Sequence, residues 1–125
     1  MALVLDAGAL IGTDRGDARV GARLRIAQQH RIRVVSSVAV VAQVWRSGTR
    51  QARLARVLRG IDIGEIDDAE SRRIGELLGL SRTADIADAH LALVVRPGDL
   101  VLTSDIEDIE HLLAVRRVSA RIERV

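Results

Sequence analysis

Short apolar runs and longer stretches of helical spacing alternate along the chain. Ala2 to Leu5 is a β-rich apolar run that leads straight into Asp6-Ala-Gly-Ala-Leu-Ile-Gly12, read as a buried strand turning into a short helix with Asp6 at the junction. Gly12 to Gly16 reads as a loop, and a helix from about Asp17 to His30 follows, with Val20, Leu24 and Ile26-Ala27 inward. Arg33 to Ser36 is a second strand. Ser36-Ser37 then caps a helix from Val38 to Arg46, whose inward stripe is expected at Val38, Val41, Ala42 and Trp45. Ser47-Gly48-Thr49 breaks that helix, and the next runs to Arg59 with Leu54, Val57 and Leu58 inward. Gly60 to Gly64 is short enough for an edge strand, and Asp67 or Asp68 caps a helix to about Leu78.

The stretch from Thr83 to Asp105 organises the rest. Its first half is an almost wholly apolar helix, which belongs inside a domain, with Thr83 as the expected cap and Asp85 and Asp88 in the opening turns. Pro97-Gly98 marks a tight turn. Leu100 to Leu102 is then an uninterrupted apolar run, as in a strand buried on both faces, ending at Thr103-Ser104-Asp105. A helix over Ile106–Leu113 and a last strand within Val118–Val125 complete the chain. Strands alternating with helices predict an α/β fold: one domain over residues 1–125, a three-layer α/β/α sandwich around a mainly parallel sheet.

Composition narrows the chemistry. At 125 residues, with 29% charged and 48% hydrophobic residues, the chain fits one globular core. It has no cysteine, which excludes thiol nucleophiles, disulfides and Cys-ligated metals. All nineteen basic residues are arginine. The missing lysine removes the phosphate-cradling G-x-x-x-x-G-K-[ST] loop, and with it the receiver and haloacid-dehalogenase designs that place a Lys beside a phosphoryl group. The net charge of +2 permits a polyanionic partner without requiring one. No apolar segment approaches the roughly 20 residues of a membrane span, and a cytoplasmic location is expected.

Asp6, Asp88 and Asp105 are far apart in sequence, yet each is expected at the C-terminal mouth of a strand or at a helix N-terminus. In a parallel sheet those places converge, and they are where ligands bind. Three ionised carboxylates in one cleft repel one another, and a divalent cation is the usual remedy. Mg²⁺, or Mn²⁺ in its place, favours oxygen ligands, and the matching reaction is metal-assisted hydrolysis of a phosphodiester. Each acid also has a plainer reading as a helix cap. Arg50, Arg53 and Arg56 step every three residues along one helix, an arc that suits either a nucleic-acid backbone or a solvated face. His30, His90 and His111 show no metal-ligand spacing and read as structural or surface residues.

Leu-Val-Leu-Asp6-Ala-Gly-Ala-Leu-Ile, Asp85-Ile-Ala-Asp88-Ala-His-Leu-Ala and Val-Leu-Thr-Ser-Asp105-Ile-Glu-Asp108-Ile resemble, in order, the motifs of PIN-domain ribonucleases, in particular the VapC-type toxins of bacterial toxin–antitoxin pairs. The resemblance covers essentially the whole chain. It implies a PIN-like α/β/α sandwich, a Mg²⁺-dependent endoribonuclease, a homodimer, and neutralisation by a small VapB-type antitoxin. Asp6 matches the first-strand acid, Asp88 the acid opening the central helix, and Asp105 the acid after the fourth strand, with Asp108 a second candidate there. These three are the expected catalytic and metal-holding residues. Asp85 rivals Asp88, because residues three apart share a helix face; Asp88 better fits the family's Asp-x-x-[IL]-A pattern.

The chain departs from that family where a Glu usually follows the second strand. Gln43 stands there, and no glutamate precedes Glu65. An amide accepts a hydrogen bond but carries no charge and is no general base. Two functions therefore stand side by side: a metal-dependent RNA hydrolase built on three acids, and a catalytically weakened PIN-like module that works by binding antitoxin or RNA. A chain without Phe or Tyr has almost no platform for base stacking, so RNA recognition is expected to rest on arginine contacts to phosphates, with Arg15, Arg19, Arg46, Arg50 and Arg53 as candidates.

Overall fold

A computed structural model describes all 125 residues. Strands β1 (Ala2–Leu5), β2 (Arg33–Ser37), β3 (Asp62–Gly64), β4 (Leu100–Thr103) and β5 (Arg121–Arg124) form one sheet in the order β3-β2-β1-β4-β5, and every pairing is parallel. The helices are α1 (Ala7–Arg15), α2 (Ala18–Gln29), α3 (Val38–Val44), α4 (Ala52–Arg59), α5 (Asp68–Ser81), α6 (Ile86–Val94) and α7 (Ile106–Arg116). From β1 the chain steps outward to β2 and β3, then returns to build β4 and β5 on the other side. Right-handed crossovers running in opposite directions put their helices on opposite faces. Accordingly α1 packs with α2, α3 and α4, while α5, α6 and α7 pack with one another, and α3 also meets α6. This is the three-layer sandwich expected.

Central β1 and β4 are buried at every position, which is why both read as unbroken apolar runs. Their side chains join Leu10, Val40, Leu54, Leu91, Ile109 and Leu112 in one core cluster. The edge strands are short and polar, with Arg33 Nε donating to Asp62 Oδ2 across β2 and β3. Charge on a short edge discourages pairing with another chain.

Several local expectations are corrected. Residues 12–15 are not a loop: α1 continues to Arg15, because Gly16 at φ +72° supplies the left-handed C-cap that ends it one turn later. The inward stripe of α3 is shifted, with Val40 and Val44 buried and Val38 and Ala42 exposed. Seven residues make too few turns for periodicity to fix a phase. The same helix ends at Val44 rather than Arg46, and Ile26 of α2 faces solvent. Arg82 closes α5 in the left-handed region, so that helix reaches Ser81, and Asp85, not Thr83, caps α6. The last strand, Arg121–Arg124, falls inside the expected stretch.

At the N-terminal edge of the sheet lies an acid that sequence did not single out. Asp99 is 3% exposed, and its carboxylate accepts hydrogen bonds from the backbone N–H groups of Ala2 and Arg96 at 2.7 and 2.8 Å. It thereby ties the start of β1 to the turn before β4. Asp99→Ala leaves two donors without an acceptor, and the expected cost is roughly 3 kcal/mol, read from the urea midpoint at unchanged slope.

Candidate metal centre

The reversal of strand order falls between β1 and β4, and a parallel sheet opens a crevice at the C-terminal ends of the strands where its connections diverge. Asp6 follows β1 and Asp105 follows β4, so these two acids flank the crevice. Asp88 reaches it from the first turn of α6. One carboxylate oxygen from each of Asp6, Asp88 and Asp105 lies within 4.8 Å of the others. The structure thus brings together the three acids singled out in the sequence. It also places each at the start of a helix, where partial positive charge on free N–H groups favours an anion.

The capping and clustering readings of Asp6 turn out to be compatible. Asp6 is 2% exposed; its Oδ1 accepts from the Ala7 N–H at 2.7 Å, and its Oδ2 accepts from the Thr103 hydroxyl at 2.6 Å. The Thr103 Oγ1 in turn accepts from the Asp105 N–H at 2.9 Å. One hydroxyl therefore couples the acid after β1 to the loop after β4. In the sequence Thr103 reads only as the end of a strand. Gly8 carries no local signal either: a Cβ there would lie 2.6 Å from Ser104 Oγ, so only glycine lets α1 approach the loop that carries Asp105.

Asp85 is separated from Asp88 by its work. Its Oδ1 accepts from the Asp88 N–H at 2.9 Å as the cap of α6, and the charge that remains raises the pKa of Asp88. Asp108 acts on Asp88 in the same electrostatic way. Neither belongs to the close group of three. Gln43 is exposed on α3, a helix that packs against α6. The electrostatic strain falls on the two less exposed acids. Burial raises the pKa of Asp6 against its two hydrogen bonds, with help from Asp105 and Asp85. Asp88 is pushed up to about 7, first by burial and then by Asp85, Asp6, Asp105 and Asp108.

Burial also decides the role of His90. Its Nδ1 meets Ser37 Oγ at 2.6 Å, but Ser37 and His90 are 0% and 1% exposed. The serine oxygen already accepts from Ala39 and Val40 N–H at the start of α3, so its hydroxyl proton goes to the imidazole. No substrate reaches that pair. It is a joint between α3 and α6, with burial lowering the pKa of the imidazole. Two grooves of about 550 and 530 Å³ elsewhere on the surface are lined by none of the three acids. Asp105 is exposed and Asp88 half-buried, so the group of three is accessible from solvent.

Neither a protein-family model nor a curated protein sequence matches the chain. Among solved structures, one chain of the crystal structure of VapBC2 from Rickettsia felis bound to a DNA fragment from their promoter is similar, with a TM-score of 0.65. The similarity spans 100% of this chain and 99% of that one at 13% identity. It establishes a shared fold, the PIN-like α/β/α class anticipated from the motifs.

A carboxyl whose folded pKa is raised from 3.8 to about 7 favours the native state when protonated. That stabilisation is complete below the unfolded value and disappears as pH rises through about 7. In chelator, thermal stability is expected to fall between pH 4 and pH 7.5, with Asp88→Asn flattening the fall. Added Mn²⁺ is expected to restore stability at the upper end in the wild type and far less in the variant, measured by calorimetry.

Proposed function

We propose that this protein is a divalent-metal-dependent endoribonuclease of the VapC toxin type, with Asp6, Asp88 and Asp105 as its metal-holding catalytic residues. The observation that carries the reading is the convergence of the three carboxylates at the switch point of the sheet. The donor set fits the ion: all are carboxylate oxygens, as Mg²⁺ or Mn²⁺ prefers, and the raised pKa values of Asp6 and Asp88 mark a place short of positive charge. A bound Mg²⁺ supplies Lewis-acid activation of water and neutralisation of charge on the scissile phosphate.

The residues of the chain divide the remaining tasks. Asp6 is held at both oxygens, which fixes its direction before anything binds. Thr103 orients Asp6 through its hydroxyl proton and the Asp105 loop through its oxygen, and orientation of this sort is worth about 10- to 100-fold in metal affinity or rate. Asp85 holds the first turn of α6 and so the position of Asp88. The fold shared with a VapBC2 chain supports a VapB-type antitoxin as partner and, with it, a homodimer acting in the cytoplasm. No helix is long and apolar enough to cross a membrane.

Gln43 favours a second reading, a PIN-like module with weakened catalysis that acts by binding antitoxin or RNA, because an exposed amide on α3 adds no charge and no base. The test is cleavage of transfer, ribosomal and messenger RNA by the antitoxin-free chain in Mg²⁺, in Mn²⁺ and in chelator. Metal-dependent cleavage that disappears in Asp88→Asn is the expected result. Inert wild type with an active Gln43→Glu would favour the binding module, and inactivity of both would remove the nuclease reading. Thr103→Val is expected to fold and to lose roughly 10- to 100-fold in rate at subsaturating Mg²⁺.

A further inference from the structure

The net charge of +2 conceals a strong segregation. Between Asp17 and Asp62 the chain carries ten arginines and no acid, while the rest carries nine arginines against seventeen acids. The acid-free span is α2, β2, α3 and α4, so one half of the molecule is basic and the half built on α5, α6 and α7 is acidic. The four ion pairs engage Arg23, Arg33, Arg72 and Arg73. Arg19, Arg53 and Arg124 have no carboxylate partner of this kind, and all three are exposed.

These three also connect the two halves. Arg124, at the end of β5, donates from Nη1 to the carbonyl of Ser104, the residue next to Asp105. Arg19, in the first turn of α2, donates from Nη2 to the carbonyl of Arg124 at 3.5 Å. Between α1 and α2 stands Gly16, where a Cβ would lie 2.7 Å from Nη1 of Arg53. The guanidinium of α4 thus lies over the turn that precedes Arg19. Asp17 borders this line, but its Oδ1 accepts from the Arg19 and Val20 N–H groups as the cap of α2. A guanidinium whose backbone bond uses one of its five donors keeps the others for phosphate oxygens.

We propose that Arg124, Arg19 and Arg53 form a cationic track that carries the phosphate backbone of RNA from the acidic mouth over the α1–α2 turn to α4, a surface role that rests on the nuclease reading above. An acidic mouth repels a polyanion, and fixed positive charge at its border offsets that repulsion. Without aromatic stacking partners, binding of this kind is expected to depend strongly on salt.

The experiment compares two triple variants of equal charge loss: Arg19→Gln, Arg53→Gln, Arg124→Gln on the track, and Arg72→Gln, Arg73→Gln, Arg96→Gln on the other half. Anisotropy of a short fluorescein-labelled single-stranded RNA is followed across salt concentrations, with Ca²⁺ replacing Mg²⁺ to prevent cleavage. The track variant is expected to bind at least about tenfold more weakly at low salt, and the exponent of its salt dependence is expected to shrink by about two. The control is expected to stay within about twofold, and the double variant Arg19→Gln, Arg53→Gln, which keeps the Arg124 bond to the Asp105 loop, to retain Mn²⁺ affinity and kcat while its KM rises. Equal losses in the two triples, or none in the first, overturn the track. So does a wild type that ignores RNA while the track binds polyglutamate, which points to an acidic protein partner. A wild type that cleaves RNA with no change in the track variant removes the track and leaves the nuclease. One that neither binds nor cleaves RNA removes both.

Discussion

Three carboxylates held within 4.8 Å of one another oppose the fold that holds them, and much of the mouth of the sheet answers that opposition. Asp6 is anchored by a backbone N–H and by Thr103, Asp88 rides on a helix turn capped by Asp85, and the loop before Asp105 is fixed by the same threonine. Three helix starts lend partial positive charge. The repulsion still appears, as the raised pKa of Asp88 and of Asp6. A group of three acids in this arrangement could hold a metal ion.

Asp99 makes the contrast visible within one chain. It is as buried as Asp6, but each of its oxygens is taken by a backbone N–H, and no other acid joins it in a group. It stands at the N-terminal edge of the sheet, where parallel folds keep their structural residues. Asp6 stands at the opposite edge, beside the divergence of the connections. Position along the strand, more than residue type, separates the structural acid from the proposed catalytic one.

Much of this was legible because both signals are local. Unbroken apolar runs at Ala2–Leu5 and Leu100–Leu102 identify the buried central strands, and acids directly after them are conspicuous. What stayed hidden depends on contacts between distant segments. Thr103 reads as the end of a strand until Asp6 is placed beside it, and Gly8 reads as a helix residue until Ser104 lies against it. Asp85 caps α6 in place of Thr83 because α5 runs on to Ser81, and nothing in the local pattern requires those three extra residues. The phase of α3 is not legible because its surroundings on α1 and α6, not its own short periodicity, decide which side is covered.

The bond from Thr103 to Asp6 spans 97 positions of the chain. Closing so long a loop is entropically costly, and parallel pairing of β1 with β4 brings its reward only once it is closed. Of the three clustered acids, Asp6 thus waits longest for its partners along the chain. Every partly folded form that lacks β4 also lacks the three-acid group, so the cluster comes into being only with the central pairing of the sheet, and not before it.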